Sequence, residues 1–296
     1  MEKLIGALEA GGTKMNVAVY TEEGKRVAME TYPTLQPQET IAPMRSFFDL
    51  FDLSAMGIAS FGPVDLHRDS KTYGHITSTP KPGWKDYPLM GALMEGRNIP
   101  CRFDNDVNAA VLSEVTLGAA KGCKNAVYVT VGTGIGAGIY VEGNLTHGLV
   151  HPEVGHMLLR PLPNDPIPHG VCPYHDGCLE GLASGPAINA RCNNKARELR
   201  DDDPLFDMEA EYLAQMCHNL VLMLSPERIV LGGGVMARES LFPKIREKTI
   251  RMLGGYVRAP FLQNGMEDYL VKPALWPYSG LDGAWLLGLS ALRENS

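Results

Sequence analysis

Four side chains have the types and spacing of a metal-ligand set. Cys172-Pro-Tyr-His175-Asp-Gly-Cys178 offers two thiols and one imidazole, and Glu180 follows two residues on. Thiolate and imidazole donors favour zinc, which prefers tetrahedral S/N sites. Cys-x2-His-x2-Cys cannot reach round a tetrahedron alone, so a fourth ligand has to come from elsewhere. His156, in Glu153-Val-Gly-His156, lies sixteen residues before Cys172 and just after a glycine, which makes it the candidate. The alternatives are a Cys172–Cys178 disulfide or loop polarity with no ion. Four protein ligands would leave no open coordination position, so the expected zinc is structural.

Two glycine turns have phosphate-binding chemistry. Leu4–Glu9 is an apolar run, Gly11-Gly12-Thr13-Lys14 follows, and Met15–Tyr20 starts a second strand. A hairpin turn of this kind presents backbone N–H groups and a hydroxyl to an anion. It is not a Walker loop, because the spacing differs and no helix follows directly. The same pattern returns about 120 residues later as Ala126–Val131, Gly132-Thr133-Gly134-Ile-Gly136 and Ala137–Val141. Each turn alone is also compatible with an ordinary Gly turn. Two related lobes, each offering such a hairpin, would place a nucleotide between them.

A third cluster, Asp104-Asn105-Asp106-Val107-Asn108, lies between the strand Ile99–Phe103 and an apolar helix beginning at Ala109. Polar groups at a strand's C-terminal end are well placed for ligand chemistry. Helix capping accounts for one such residue, not four in five.

The elements that must position these groups follow from periodicity. Strands are expected over Val27–Tyr32, Met56–Ser60, Arg228–Leu231 and Leu270–Ala274. Helices are expected over Gln38–Phe51, Met208–Leu224, Ser240–Leu253 and Asp282–Arg293, with another opened by Ser184 as a cap. Asp65–Trp84 reads as a long loop. Gly232-Gly233-Gly234 turns off the end of a strand, where bare backbone can approach a flat ligand or simply make a tight turn.

The 296 residues carry a net charge of −7, with 45% hydrophobic and 21% charged residues. That is a soluble globular mixture. Its acidity argues against a nucleic-acid partner. No apolar run spans a bilayer and no export signal is visible. The remaining cysteines show no disulfide framework, so a reduced, cytoplasmic setting is expected.

Together, Glu9–Lys14, Asn105–Asn108, Val131–Gly136, Glu153–His156, Cys172–Glu180 and Leu231–Val235 resemble the ROK family of repressors and sugar kinases. The resemblance covers nearly the whole chain and is nearest to the bacterial fructokinase branch. Glu9, His175 and Thr79-Pro-Lys-Pro-Gly-Trp84 are the branch-like features, and they weaken a glucokinase reading without excluding it. The resemblance implies a two-lobed α/β fold of the actin-like/hexokinase-like (ribonuclease H-like) ATPase kind with a structural zinc site. The smaller lobe would comprise 1–117 plus 281–296, and the larger 118–280 with the zinc loop.

The implied activity is transfer of phosphate from ATP to the 6-hydroxyl of a hexose, giving fructose 6-phosphate and ADP if fructose is the substrate. Glucokinase or mannokinase activity is the alternative, as is a non-catalytic sugar sensor or repressor. A repressor would need a DNA-binding helix-turn-helix ahead of the strand that begins at Leu4. The resemblance implies Asp106 as general base, with Asn105, Glu153, His156 and Glu180 on the sugar hydroxyls. Gly11, Gly12, Thr13, Lys14, Thr133 and Gly134 would hold the ATP phosphates, with Pro186, Gly233 and Gly234 on the adenosine side. Mg²⁺ would bridge the phosphates, held by Glu9 through water. His156, Cys172, His175 and Cys178 would hold Zn²⁺, with the second ring nitrogen of His156 left for sugar. A homodimer is also implied.

Overall fold

The structure, a computed structural model, describes residues 2–295. The chain divides into two compact units. Unit 1 is Met1–Glu114, Leu145–Pro152 and Pro277–Ser296, and unit 2 is Val115–Asn144 and Glu153–Trp276. The short segment Leu145–Pro152, placed in the larger lobe from sequence, packs with unit 1.

Unit 1 is built on β1 (Leu4–Ala10), β2 (Lys14–Thr21), β3 (Arg26–Pro33), β4 (Leu53–Ser60) and β5 (Cys101–Asn105) in the order β3-β2-β1-β4-β5. The β1–β2 hairpin is antiparallel, whereas β1–β4 and β4–β5 are parallel. Side chains alternate across this sheet, as a two-residue period requires. Leu8, Met15, Val17, Met56 and Ile58 face a core closed by Met44, Phe47 and Phe48 of α1 (Pro37–Phe48). That core also holds Leu89 and Leu93 of α2 (Leu89–Met94) and the fully buried Trp84, which anchors the long loop by donating its indole N–H to Leu35 O at 2.8 Å.

The opposite face carries small residues, Ala7, Ala18, Ala55 and Ala59. They let α9 (Ser279–Glu294) lie close against the sheet, along with Ala109 of α3 (Asp106–Thr116). At Gly57 the approach is so close that a Cβ would fall 1.8 Å from the Ala284 carbonyl oxygen.

Unit 2 repeats the plan. Its sheet is formed by β6 (Ala126–Val131), β7 (Ile135–Val141), β8 (Asn144–Leu145, which ends at the unit boundary), β9 (Arg228–Gly232) and β10 (Leu270–Val271), in the order β10-β9-β6-β7-β8. An antiparallel hairpin, β6–β7, again pairs through its first strand in parallel with a later one, β9. Reading β8-β7-β6-β9-β10 beside β3-β2-β1-β4-β5 gives the same connectivity twice, which is the physical form of the repeated strand–turn–strand sequence. Val127, Val129, Ile135, Ile229 and Leu231 enter one core with α6 (Pro204–Leu224) and α7 (Leu241–Leu253). The short helices α4 (Leu179–Ala183), α5 (Gly185–Arg191) and α8 (Pro260–Gln263) complete the unit. Among the described residues no helix is long and apolar enough to cross a membrane.

Helix α1 stops at Phe48, three residues before its apolar period ends, with the Asp49 N–H still bonded to Arg45 O. Helix α3 starts at Asp106, three residues earlier than its apolar period. Replacing Gly57 with Val should overpack the α9 contact and lower the thermal midpoint by about 4 °C or more. An unchanged midpoint would contradict this packing.

Candidate functional site

The four expected metal ligands converge. Donor atoms of His156, Cys172, His175 and Cys178 all lie within 4.8 Å of one another. Cys172 Sγ is 3.9 Å from His156 Nδ1 and 3.7 Å from His175 Nδ1, and Cys178 Sγ is 3.8 Å from His156 Nδ1. The two Nδ1 atoms are 3.2 Å apart. A tetrahedron with Zn–S of about 2.3 Å and Zn–N of about 2.0–2.1 Å has edges of about 3.3–3.8 Å. Donor types and spacings therefore fit a four-coordinate soft cation, and every described cysteine is unpaired, which removes the disulfide alternative. Both histidines turn Nδ1 inward, so His156 keeps Nε2 for another partner.

Local chemistry brings the segments together. The Leu159 N–H bonds Gly177 O and the Leu179 N–H bonds Met157 O, a short antiparallel clamp that sets His156 beside Cys178. Cys178 also caps α4, its sulfur accepting the Gly181 N–H. Val154–His156 form a single 3₁₀ turn.

Ile135, the first residue of β7, receives both segments. Its N–H donates to Glu180 Oε2 at 2.9 Å. Its carbonyl oxygen sits where a Cβ on Gly155 would come within 1.9 Å, so only glycine fits the Glu153-Val-Gly-His156 turn. The metal turn, the Glu153 turn and the Gly132-Thr133-Gly134 turn thus share one backbone residue. Desolvation, and then the Glu180 charge, push the Glu153 carboxyl up to about 7, although the residue keeps an exposed face.

In unit 1 the Asp/Asn cluster divides its labour. Asn105 Oδ1 accepts the Asn108 N–H at 2.7 Å and so caps α3. Asn105 Nδ2 is buried and has no acceptor among the described residues. Asp104 is buried and structural: its Oδ1 accepts the Asn105 N–H and Asn108 Nδ2, and its Oδ2 meets His147 Nε2 at 2.8 Å. That hydrogen bond raises the His147 pKa. Asp106, the first residue of α3, is partly exposed, and its Oδ1 accepts the Val107 N–H at 2.9 Å.

Gly12, Thr13 and Lys14 are exposed at the first hairpin turn, and Thr133 at the second. The first turn is closed by the Gly11 N–H on Lys14 O, the second by the Gly132 N–H on Gly134 O. Beside the first turn, Glu9 accepts a hydrogen bond from Asn16 Nδ2 at 2.8 Å, and desolvation raises its carboxyl.

A cavity of about 710 Å³ opens beside the second turn, lined by Thr133, Gly185, Asn189, Gly234, Arg238 and others of unit 2. Gly234 is exposed there, whereas Gly233 is buried with φ +91° and a Cβ would lie 2.3 Å from Val131 O. Pro186 is exposed but its neighbour Gly185 forms the wall. Sequence reasoning missed Asn189 and Arg238, which belong to no motif. Arg238 stacks over Phe206 at 3.9 Å and pairs with Asp201.

A ROK family model matches residues 5–288, and the chain belongs to the ROK family. It is 44% identical to a putative fructokinase of Bacillus subtilis (strain 168) over 293 residues, covering 99% of this chain and 98% of that one. It is 42% identical to a fructokinase of Pediococcus pentosaceus over 291 residues, covering 98% and 99%. Among solved structures, a ROK hexokinase from Thermus thermophilus superposes with a TM-score of 0.79 at 28% identity, covering 98% and 99%.

The two adjacent glycines give a sharp contrast to test. Gly233→Ala should lose about 1–3 kcal/mol of stability, from positive φ and overpacking. Gly234→Ala, with no atom within 4 Å of its Cβ position, should unfold like the parent. Equal denaturation curves for the two variants would contradict the placement of Gly233.

Proposed function

We propose that this chain is an ATP-dependent fructokinase that converts fructose to fructose 6-phosphate. The observation that carries the reading is the joining of Glu153, His156 and Glu180 to a phosphate-type Gly-Thr turn through Ile135. The named fructokinases at 42–44% identity over almost the full chain support the choice of sugar.

Asp106 acts as the general base. Its carboxylate takes the proton of the fructose 6-hydroxyl as that oxygen bonds to the γ-phosphorus and the bond to the β-phosphate oxygen breaks, releasing ADP. Such a base contributes about 10²–10⁴ in rate. Asn105 turns its unpartnered Nδ2 to a sugar hydroxyl, since its Oδ1 is engaged as a cap. Glu153, Glu180 and His156 Nε2 hold further hydroxyls. The exposed turns 11–14 and 132–134 bind phosphates through backbone N–H groups and the Thr13 and Thr133 hydroxyls. The adenosine lies in the 710 Å³ cavity against Gly234. Pro186 and Gly233 support its wall from outside the lining.

Glu9, held by its hydrogen bond from Asn16, would be the residue that holds Mg²⁺. When bound, that ion would supply charge neutralisation on the phosphates. His156, Cys172, His175 and Cys178 would hold a structural Zn²⁺, which would pin the segments carrying Glu153 and Glu180. Unpaired cysteines suit a reducing cytoplasm. A net charge of −7 does not suit nucleic acid. A homodimer would cover Leu158, Leu222 and Met223, apolar side chains exposed on unit 2.

Asp106→Ala should leave fructose and ADP binding nearly intact while kcat falls about 10²-fold or more. Near-normal turnover would remove Asp106 as the base. With ATP and Mg²⁺, kcat/KM should be higher for fructose than for mannose or glucose. A preference for glucose would overturn the assignment of sugar. Elemental analysis should find about one zinc per chain, and a metal-free preparation with full stability and activity would refute the structural ion.

A further inference from the structure

Unit 2 holds an ion pair that the mechanism does not use. Asp165 lies midway in the segment that leaves His156 and returns to Cys172. Its Oδ1 accepts Arg191 Nε at 2.9 Å and the Ile167 N–H at 2.9 Å. Its Oδ2 accepts Arg191 Nη2 at 2.7 Å and the Tyr212 hydroxyl at 2.5 Å. The same hydroxyl accepts the Leu162 N–H at 3.0 Å. The Arg191 and Asp165 side chains are 1% and 0% exposed.

Arg191 ends α5. At the other end of that helix the Gly185 N–H donates to Gly132 O at 2.7 Å, in the second Gly-Thr turn, and Ile188 and Asn189 line the cavity. The helix therefore has one end fixed to the phosphate turn and the other to the segment between two cluster ligands. A buried ion pair adds little stability over an apolar pair of the same volume. What the bidentate fork adds is a fixed distance and angle. Glu209 is buried nearby with its carboxyl raised by desolvation, and neither of its oxygens has a hydrogen-bond partner among the described residues, so Asp165 is the carboxylate that the Arg191 fork meets.

We propose that Asp165 and Arg191 are positioning residues that couple the Cys/His cluster to the nucleotide cavity, so that a closed cluster sets the affinity for nucleotide. This rests on reading the cluster as a zinc site and the cavity as the ATP site.

The test compares zinc-loaded parent, parent stripped by a chelator, and Asp165→Asn, measuring the Kd of ADP by calorimetry together with zinc content and steady-state kinetics. Asp165→Asn should keep its zinc and its fructose KM, raise the ADP Kd and the ATP KM about tenfold, and leave kcat at saturating ATP within about threefold. Stripping zinc should raise the ADP Kd of the parent by a similar factor and add little in Asp165→Asn, because coupled changes are not additive. Arg191→Lys keeps the charge but loses the fork, and should show the same loss. An ADP Kd unmoved by both substitutions, or unmoved by zinc removal from the parent, overturns the coupling. A parent that binds neither zinc nor ADP overturns the functional reading and the coupling with it. A parent that binds both while the variants behave like it overturns the coupling alone.

Discussion

Two imidazole nitrogens and two sulfurs converge on one point, at separations that a four-coordinate cation would span. His156 Nδ1 and His175 Nδ1 stand 3.2 Å apart, with a sulfur within 4 Å of each. A cation at their centre would tie together two segments that are also anchored in the core through the buried Val154, Leu159, Cys178 and Leu179. His175 and Glu153 are exposed, and the segments that carry them are held by the clamp across Leu158 and Cys178 and by Ile135. On the proposed reading, the carboxylates that meet sugar hydroxyls need rigid backbone, and the cluster would supply it.

The sheets solve a different problem. Each unit uses the same five-strand connectivity, and in each the hairpin turn between the first two strands leaves a threonine, Thr13 or Thr133, exposed. Catalysis of phosphoryl transfer depends on placing such donors rather than on covalent chemistry. The base candidate is placed with equal economy: Asn105 caps α3 with its carbonyl, and Asp106 opens the helix at the end of the parallel strand β5.

Local features were legible in the sequence and long-range ones were not. Cys172, His175 and Cys178 declared themselves by spacing, and His156 by a glycine before it, because metal geometry constrains neighbours along the chain. The β6–β7 hairpin and the helices α6 and α9 followed from periodicity. The beginning of α3 did not, since Asp106 and Val107 are helical while only Ala109 onward is apolar by pattern. Gly233 and Gly234 look alike as letters, yet one is buried under Val131 and the other faces a cavity. Asp165 and Arg191 are twenty-six residues apart and belong to no motif, so only the fold joins them. Ile135 carries no chemical signal at all, because its role is played by its backbone.

Hydrogen–deuterium exchange of the zinc-loaded and chelator-treated protein tests the central claim most directly. If a bound ion holds the segments that carry Glu153 and Glu180, its removal should sharply speed exchange at amides 153–159 and 172–182, while β6 and β9 stay protected. Exchange at those segments that does not change when the metal is removed would contradict the account.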